Sequence, residues 1–143
     1  MTVKELSQLY WLNREIEQDQ ERLAELEHKA SSPSSPNLTG MPSAKGGYGN
    51  SKIERYVAEI LDLKAIIAAK QQQCIHERNR LERWICDVPD SLLRMIFTLR
   101  FINGLTWLQV ALHIGGGNTE DSVKKACYRY LDKINAEDGK NGV

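Results

Sequence analysis

Apolar residues recur at helical spacing in two long stretches, residues 1–30 and 51–88, that contain neither glycine nor proline. In the first, Leu12, Ile16, Leu23 and Leu26, with Leu9 beside them, predict a helix over residues 3–29. In the second, Ile53, Val57, Ile60, Ile67, Cys74, Leu81 and Ile85 follow steps of three, four or their sums. Lys64, Gln71 and Arg78 take the intervening seam positions, a heptad pattern with polar interruptions. One helix over residues 51–87 would be about 55 Å long and could not bury its own stripe, so the first helix is its natural partner. Residues 31–50 hold three of the four prolines, four of the ten glycines and five serines, the composition of a flexible linker. A linker of this length reaches roughly 25 Å, which suits an antiparallel hairpin better than a parallel pair. Tyr56, Leu61, Leu63, Ile66 and Ile75 spread further apolar surface around the long helix, so the hairpin is expected to self-associate, as a dimer.

The last third is punctuated differently. Residues 88–136 predict three short helices. Asp87 is a candidate N-cap for the first, Pro89 fits its first turn, and Leu92, Leu93, Ile96, Phe97, Leu99 and Phe101 are its apolar residues. Asn103-Gly104 ends it as a left-handed cap would. Thr106 with Gln109 three residues on reads as a capping box opening the second helix, whose apolar face is Val110, Ala111 and Ile114. Asn118-Thr119 opens the third, with Glu120 and Asp121 in its first turn. Val123, Cys127, Tyr130, Leu131 and Ile134 make its inward stripe, so Lys124, Lys125, Tyr128 and Arg129 point elsewhere. A two-turn helix, a turn and a longer helix with a basic outer face predict a helix-turn-helix, with Ala111 at the crossing. The Gly115-Gly116-Gly117 turn is about two residues longer than a tight one, because Val123 lies twelve residues after Ala111. The whole is expected to be all-α: a long coiled-coil-like antiparallel hairpin (residues 1–30 and 51–87, joined by 31–50), then a three-helix helix-turn-helix unit at 88–136, then a disordered tail at 137–143.

Charge and composition narrow the function. Nineteen Lys and Arg balance nineteen Asp and Glu in 143 residues, which excludes a histone-like polycation and an acidic solvating chain but not a local basic face. The first helix is itself acidic, with seven acids against four bases over residues 3–29. No apolar run is long enough to cross a bilayer, and the start of the chain lacks a signal-peptide core, so a cytoplasmic protein without membrane contact is expected. Three cysteines make no disulfide framework. Cys74, His76, Cys86, Cys127, His28 and His113 match no zinc spacing, so no metal or other cofactor is expected. Nothing places a base beside a nucleophile, and the triple glycine carries no phosphate-loop lysine, so an enzyme is not expected. Trp11, Trp84 and Trp107, one per helical unit, read as packing residues.

The stretch Val88-Pro89-Asp90, Leu99-Arg100-Phe101-Ile102-Asn103-Gly104 and Thr106-Trp107 resembles region 4 of bacterial sigma factors. It is more similar still to small phage and prophage transcriptional activators of the ArpU or RinA type. That group shares a helical N-terminal part, a linker like Met41-Pro42-Ser43-Ala44-Lys45-Gly46-Gly47, and a long helix leading into the sigma-like part. The resemblance is strongest over residues 88–112. It implies regulation of phage gene transcription by promoter binding in the host bacterial cytoplasm, with double-stranded DNA and host RNA polymerase as partners. Asn118, Thr119, Ser122, Lys124, Lys125, Tyr128 and Arg129 are the candidate DNA-binding residues: the basic ones for phosphates, and Thr119, Ser122 and Tyr128 for bases or sugar. The competing reading is a protein-binding helical module, associated with polymerase or phage assembly and including the terminase small-subunit type, that does not read DNA sequence.

Overall fold

The computed structural model describes residues 1–32 and 47–142. They form an all-α protein: α1 (Val3–Leu6), α2 (Gln8–Ser31), α3 (Gly47–Cys86), α4 (Ser91–Phe97), a π-helical turn (Thr98–Ile102), α5 (Trp107–Ile114) and α6 (Glu120–Asn141). Of the linker expected at 31–50, residues 33–46 lie outside the described residues, while Gly47 already opens α3, four residues earlier than predicted. The first predicted helix is interrupted at Ser7. Before it, Thr2 and Glu5 form a capping box that starts α1, with Thr2 N–H donating to the Glu5 carboxylate at 2.7 Å. At the other end, α6 runs on through the expected tail to Asn141.

The chain divides into two compact units, Met1–Asn13 with Gln73–Val143, and Arg14–Gln72. In the second unit α2 and α3 run antiparallel, as the ion pairs Lys64 to Glu27 and Lys70 to Glu15 establish. Ile16 and Leu26 on α2 and Leu63 and Ile67 on α3 are buried. The seam of α3 therefore differs from the predicted one: Ile53 and Val57 are about half exposed, and Leu63 and Lys70 take the places expected for Lys64 and Gln71. Lys70 is tolerated in the seam because its ammonium donates to Asp19 at 2.6 Å. That hydrogen bond holds its pKa above the ordinary lysine value.

The first unit has one apolar core. Leu6 and Leu9 come from the N-terminal segment and Leu81 and Ile85 from the end of α3. Val88, Ile96, Phe97, Leu99 and Phe101 come from the α3–α4 corner onwards, Trp107, Val110 and Ala111 from α5, and Val123, Cys127 and Leu131 from α6. Trp84 meets Phe97 edge-on at 5.0 Å between centroids, and Tyr130 meets Phe97 at 5.8 Å. The α3–α4 corner is tied by Arg94, whose guanidinium donates to the carbonyls of Val88 and Pro89 at 2.7 and 3.0 Å and to the Ser91 hydroxyl at 2.7 Å. The N-cap of α4 is Asp90 rather than Asp87, accepting from Leu92 N–H at 2.9 Å. Pro89 consequently precedes the helix instead of lying in its first turn, where the missing N–H costs nothing.

Loss of a fully buried core leucine costs about 2–5 kcal/mol. Leu6→Ala and Leu81→Ala are each expected to lower the unfolding free energy by that amount in urea denaturation followed by Trp fluorescence. Leu112→Ala, at a side chain 74% exposed, should change it by less than about 0.5 kcal/mol. Equal small effects at Leu6 and Leu112 would mean that the N-terminal segment does not share the core.

Candidate nucleic-acid interface

The helix-turn-helix is assembled from local chemistry. At the end of the π-helical turn, Asn103 N–H donates to Thr98 O at 2.9 Å and Gly104 takes φ +71°, the left-handed conformation expected of Asn103-Gly104. Arg100 donates to Leu105 O at 2.9 Å and lies 4.8 Å from the centre of the Trp107 ring, which fixes the approach to α5. The Thr106 box forms as predicted: its hydroxyl accepts from Gln109 backbone N–H at 3.2 Å, and the Gln109 side-chain Oε1 accepts from Thr106 N–H at 2.9 Å. Trp107, Val110 and Ala111 are buried, and α5 packs chiefly on α6.

The long turn is accommodated by three consecutive glycines at positive φ, +68°, +64° and +79° for Gly115, Gly116 and Gly117. Any Cβ would be strained there whatever the space around it. Asn118 closes the turn, donating from its side chain to Gly115 O at 2.8 Å. Thr119 then caps α6. Its hydroxyl accepts from Ser122 N–H at 3.1 Å, and the Ser122 hydroxyl accepts from Thr119 N–H at 2.9 Å.

These bonds separate the candidate residues into two groups. Asn118, Thr119 and Ser122 spend their polar atoms on the turn and cap, so their first duty is to start α6. Tyr128 is half-buried with its ring edge-on to Trp107 at 6.1 Å, which leaves it partly available at the surface. Lys125 and Arg129 are exposed on the outward side of α6, opposite Val123, Cys127 and Leu131, and Lys124 is exposed on its flank. Lys125 is engaged by Asp121 one turn back, at 2.7 Å. Lys133, absent from the sequence-based set, is also exposed and continues the i, i+4 series of Lys125 and Arg129. The signal for it was present in that spacing. Glu120, Asp121 and Asp132 interleave with these cations, so the face is mixed rather than uniformly basic.

Two further surfaces lie outside this face. Leu108 and Leu112 on α5 and Leu92 and Met95 on α4 are exposed, and a cavity of about 370 Å³ is lined by Ser91, Arg94, Met95, Thr98, Leu99 and His113. Trp11 is 60% exposed rather than packed. Among the described residues no three His, Cys, Asp or Glu side chains gather as a metal site would require.

No family model, curated protein or solved structure matches the chain.

Cysteine reactivity reports which side of α6 faces inward. Burial pushes the Cys127 thiol up to about 12, whereas Cys86 is exposed. A maleimide at pH 7.5 should label Cys86 first and Cys127 only after unfolding. Native Cys127 labelling as fast as Cys86 would turn the proposed outer face inward. The same burial makes stability pH-dependent. The folded state keeps the Cys127 proton above the ordinary thiol pKa of 9.0 while the unfolded chain loses it, so stability should fall as pH rises from about 9 to about 12.

Proposed function

We propose that the chain is a DNA-binding transcription regulator whose α5–α6 helix-turn-helix presents the outer side of α6 to the major groove. The observation that carries this reading is the exposed series Lys124, Lys125 and Arg129 on a helix whose opposite side is locked in the core. A supporting two-turn helix with its capping box, followed by a longer exposed helix, is the arrangement by which such modules reach base edges. The sigma-like stretch around Val88 to Trp107 supports assigning it to phage or prophage promoters, acting in the bacterial cytoplasm beside host polymerase. The coarser physical statement stands without it: no described helix is long and apolar enough to cross a membrane.

Lys124, Lys125 and Arg129 act on phosphates in this reading. Tyr128, whose ring is only half-buried, is left to contribute to register. The hairpin supplies dimerisation or a polymerase contact. Exposed Ile53, Val57 and Leu61, at i, i+4 and i+8 on α3, favour a second copy. A dimer would double a face that carries few cations, as a two-fold operator requires.

A second reading is favoured by the exposed Leu92, Met95, Leu108 and Leu112 and by the zero net charge. In it the C-terminal unit grips another protein and reads no sequence.

In an electrophoretic shift with DNA from upstream of neighbouring genes, the wild type should bind. Lys124→Ala, Lys125→Ala and Arg129→Ala combined should weaken binding and flatten its salt dependence. An unchanged affinity in the folded triple variant would give the lead to the protein-binding reading. In sedimentation at tens of micromolar protein, a dimer is expected, and Val57→Glu with Leu61→Glu should shift it to monomer. A strictly monomeric wild type would remove the hairpin from the assembly argument.

A further inference from the structure

We infer that Lys125, Arg129 and Lys133 form a single cationic ridge for the phosphates of one DNA strand, with Asp121 as a built-in competitor for its first member. The inference rests on the DNA-binding reading and goes beyond it by adding Lys133 and giving Asp121 a role. Residues four apart rise about 6 Å along a helix and stay on one side of it, so the three cations span about 12 Å. Each strand of duplex DNA carries one negative charge per about 3.4 Å of axis, so a ridge of this length can meet several phosphates of one strand.

The three positions are not equivalent. Lys125 is held by Asp121 at 2.7 Å. Arg129 and Lys133 have no ion-pair partner among the described residues. Lys124 lies round the helix on the side of Tyr128 and, through it, of Trp107, and so belongs to a separate edge. Asp132 lies between the two edges, nearer the middle of the outer face, where it opposes close approach of either backbone. Lys140 continues the ridge side further along α6, beyond Ala136. A phosphate arriving at Lys125 must displace Asp121. The pair therefore weakens binding to every sequence alike and leaves discrimination to contacts elsewhere on the helix.

The test is fluorescence anisotropy of a labelled duplex carrying an upstream region, and of a scrambled duplex of equal composition, at several salt concentrations. Circular dichroism checks that each variant is folded. Lys133→Ala should reduce the slope of log affinity against log salt by about 0.9 on both duplexes, the value for one lost phosphate contact. Lys133→Arg should restore it. Asp121→Asn should strengthen binding to both duplexes, and Lys29→Ala, at an exposed lysine of α2, should change nothing. If Lys133→Ala keeps the wild-type slope while the triple variant at Lys124, Lys125 and Arg129 loses it, the ridge is overturned and the DNA reading survives. If the wild type binds neither duplex with any salt dependence, both are overturned.

Discussion

The burial of Val123, Cys127 and Leu131 in one core with Ile96, Phe97, Val110 and Ala111 is the constraint from which the outer surface of α6 follows. Val123 and Leu131 each gain about 1.5–3 kcal/mol on leaving water. Turning the helix by one residue, about 100°, would carry Lys124, Tyr128 and Asp132 inward instead. Two charged groups would then enter a core in which, among the described residues, no polar or charged residue is buried, at several kcal/mol each. The helix therefore has one azimuth, and the side that carries Lys125, Arg129 and Lys133 is outward by exclusion. The caps set where the helix begins in the same way. With Thr119 and Ser122 bonded to each other, α6 cannot start earlier without losing both bonds.

The same core reaches to the other end of the chain. Leu6 and Leu9 lie in it beside Leu81 and Ile85 of α3. Arg80 adds a polar tie, donating to Glu5 O at 3.2 Å while paired with Glu77. A C-terminal unit cut at residue 88 would lose Leu6, Leu9, Leu81 and Ile85 from the shared core, and with them the Trp84 ring that meets Phe97. The helix-turn-helix is a small module that borrows part of its hydrophobic support from the N-terminal segment and the end of α3. In the Arg14–Gln72 unit the seam is less apolar. Asp19 and Lys70 occupy seam positions, and such a pair adds register more than stability, because the cost of desolvating two charges offsets much of their attraction.

Local signals in the sequence read well where one residue decides the outcome. Thr106 with Gln109, Asn103-Gly104 and the stripe Val123, Cys127 and Leu131 each name a bond, a backbone angle or a buried face, and the structure has all three. Signals that depend on a partner read less well. Ile53 and Val57 fit a heptad as neatly as Leu63 and Ile67 do, and periodicity alone cannot say which of two overlapping stripes meets α2. The choice falls to Lys70, a seam residue that looks out of place until Asp19 is opposite it. Asp90 rather than Asp87 caps α4 because Arg94 gathers the carbonyls of Val88 and Pro89, a long-reach contact that no capping rule contains. On the candidate site, the outward lysines were legible from the inward stripe. The structural duties of Asn118, Thr119 and Ser122 were only half legible, since capping and base contact call for the same small polar side chains.

The mixed charge of α6 bears on what kind of binding the proposed interface can support. A strongly basic face binds any nucleic acid, and sequence discrimination must then be won against a large nonspecific background. Here Glu120, Asp121 and Asp132 sit among Lys124, Lys125, Arg129 and Lys133, and each cation lies within one helical turn, about 6 Å of rise, of one of these acids, less than the screening length of about 8 Å at physiological salt. The attraction felt from a distance is small, and Lys125 meets a phosphate only in competition with Asp121. That sacrifices association rate and nonspecific affinity together. Such a module works when something else supplies affinity: a second copy that doubles the contacts, or a protein partner already on the DNA. The exposed apolar residues on α3 and on α4 and α5 are where those two sources would attach. Under the proposed DNA-binding function, DNA contact would select the site and protein contact through these apolar surfaces would supply most of the affinity.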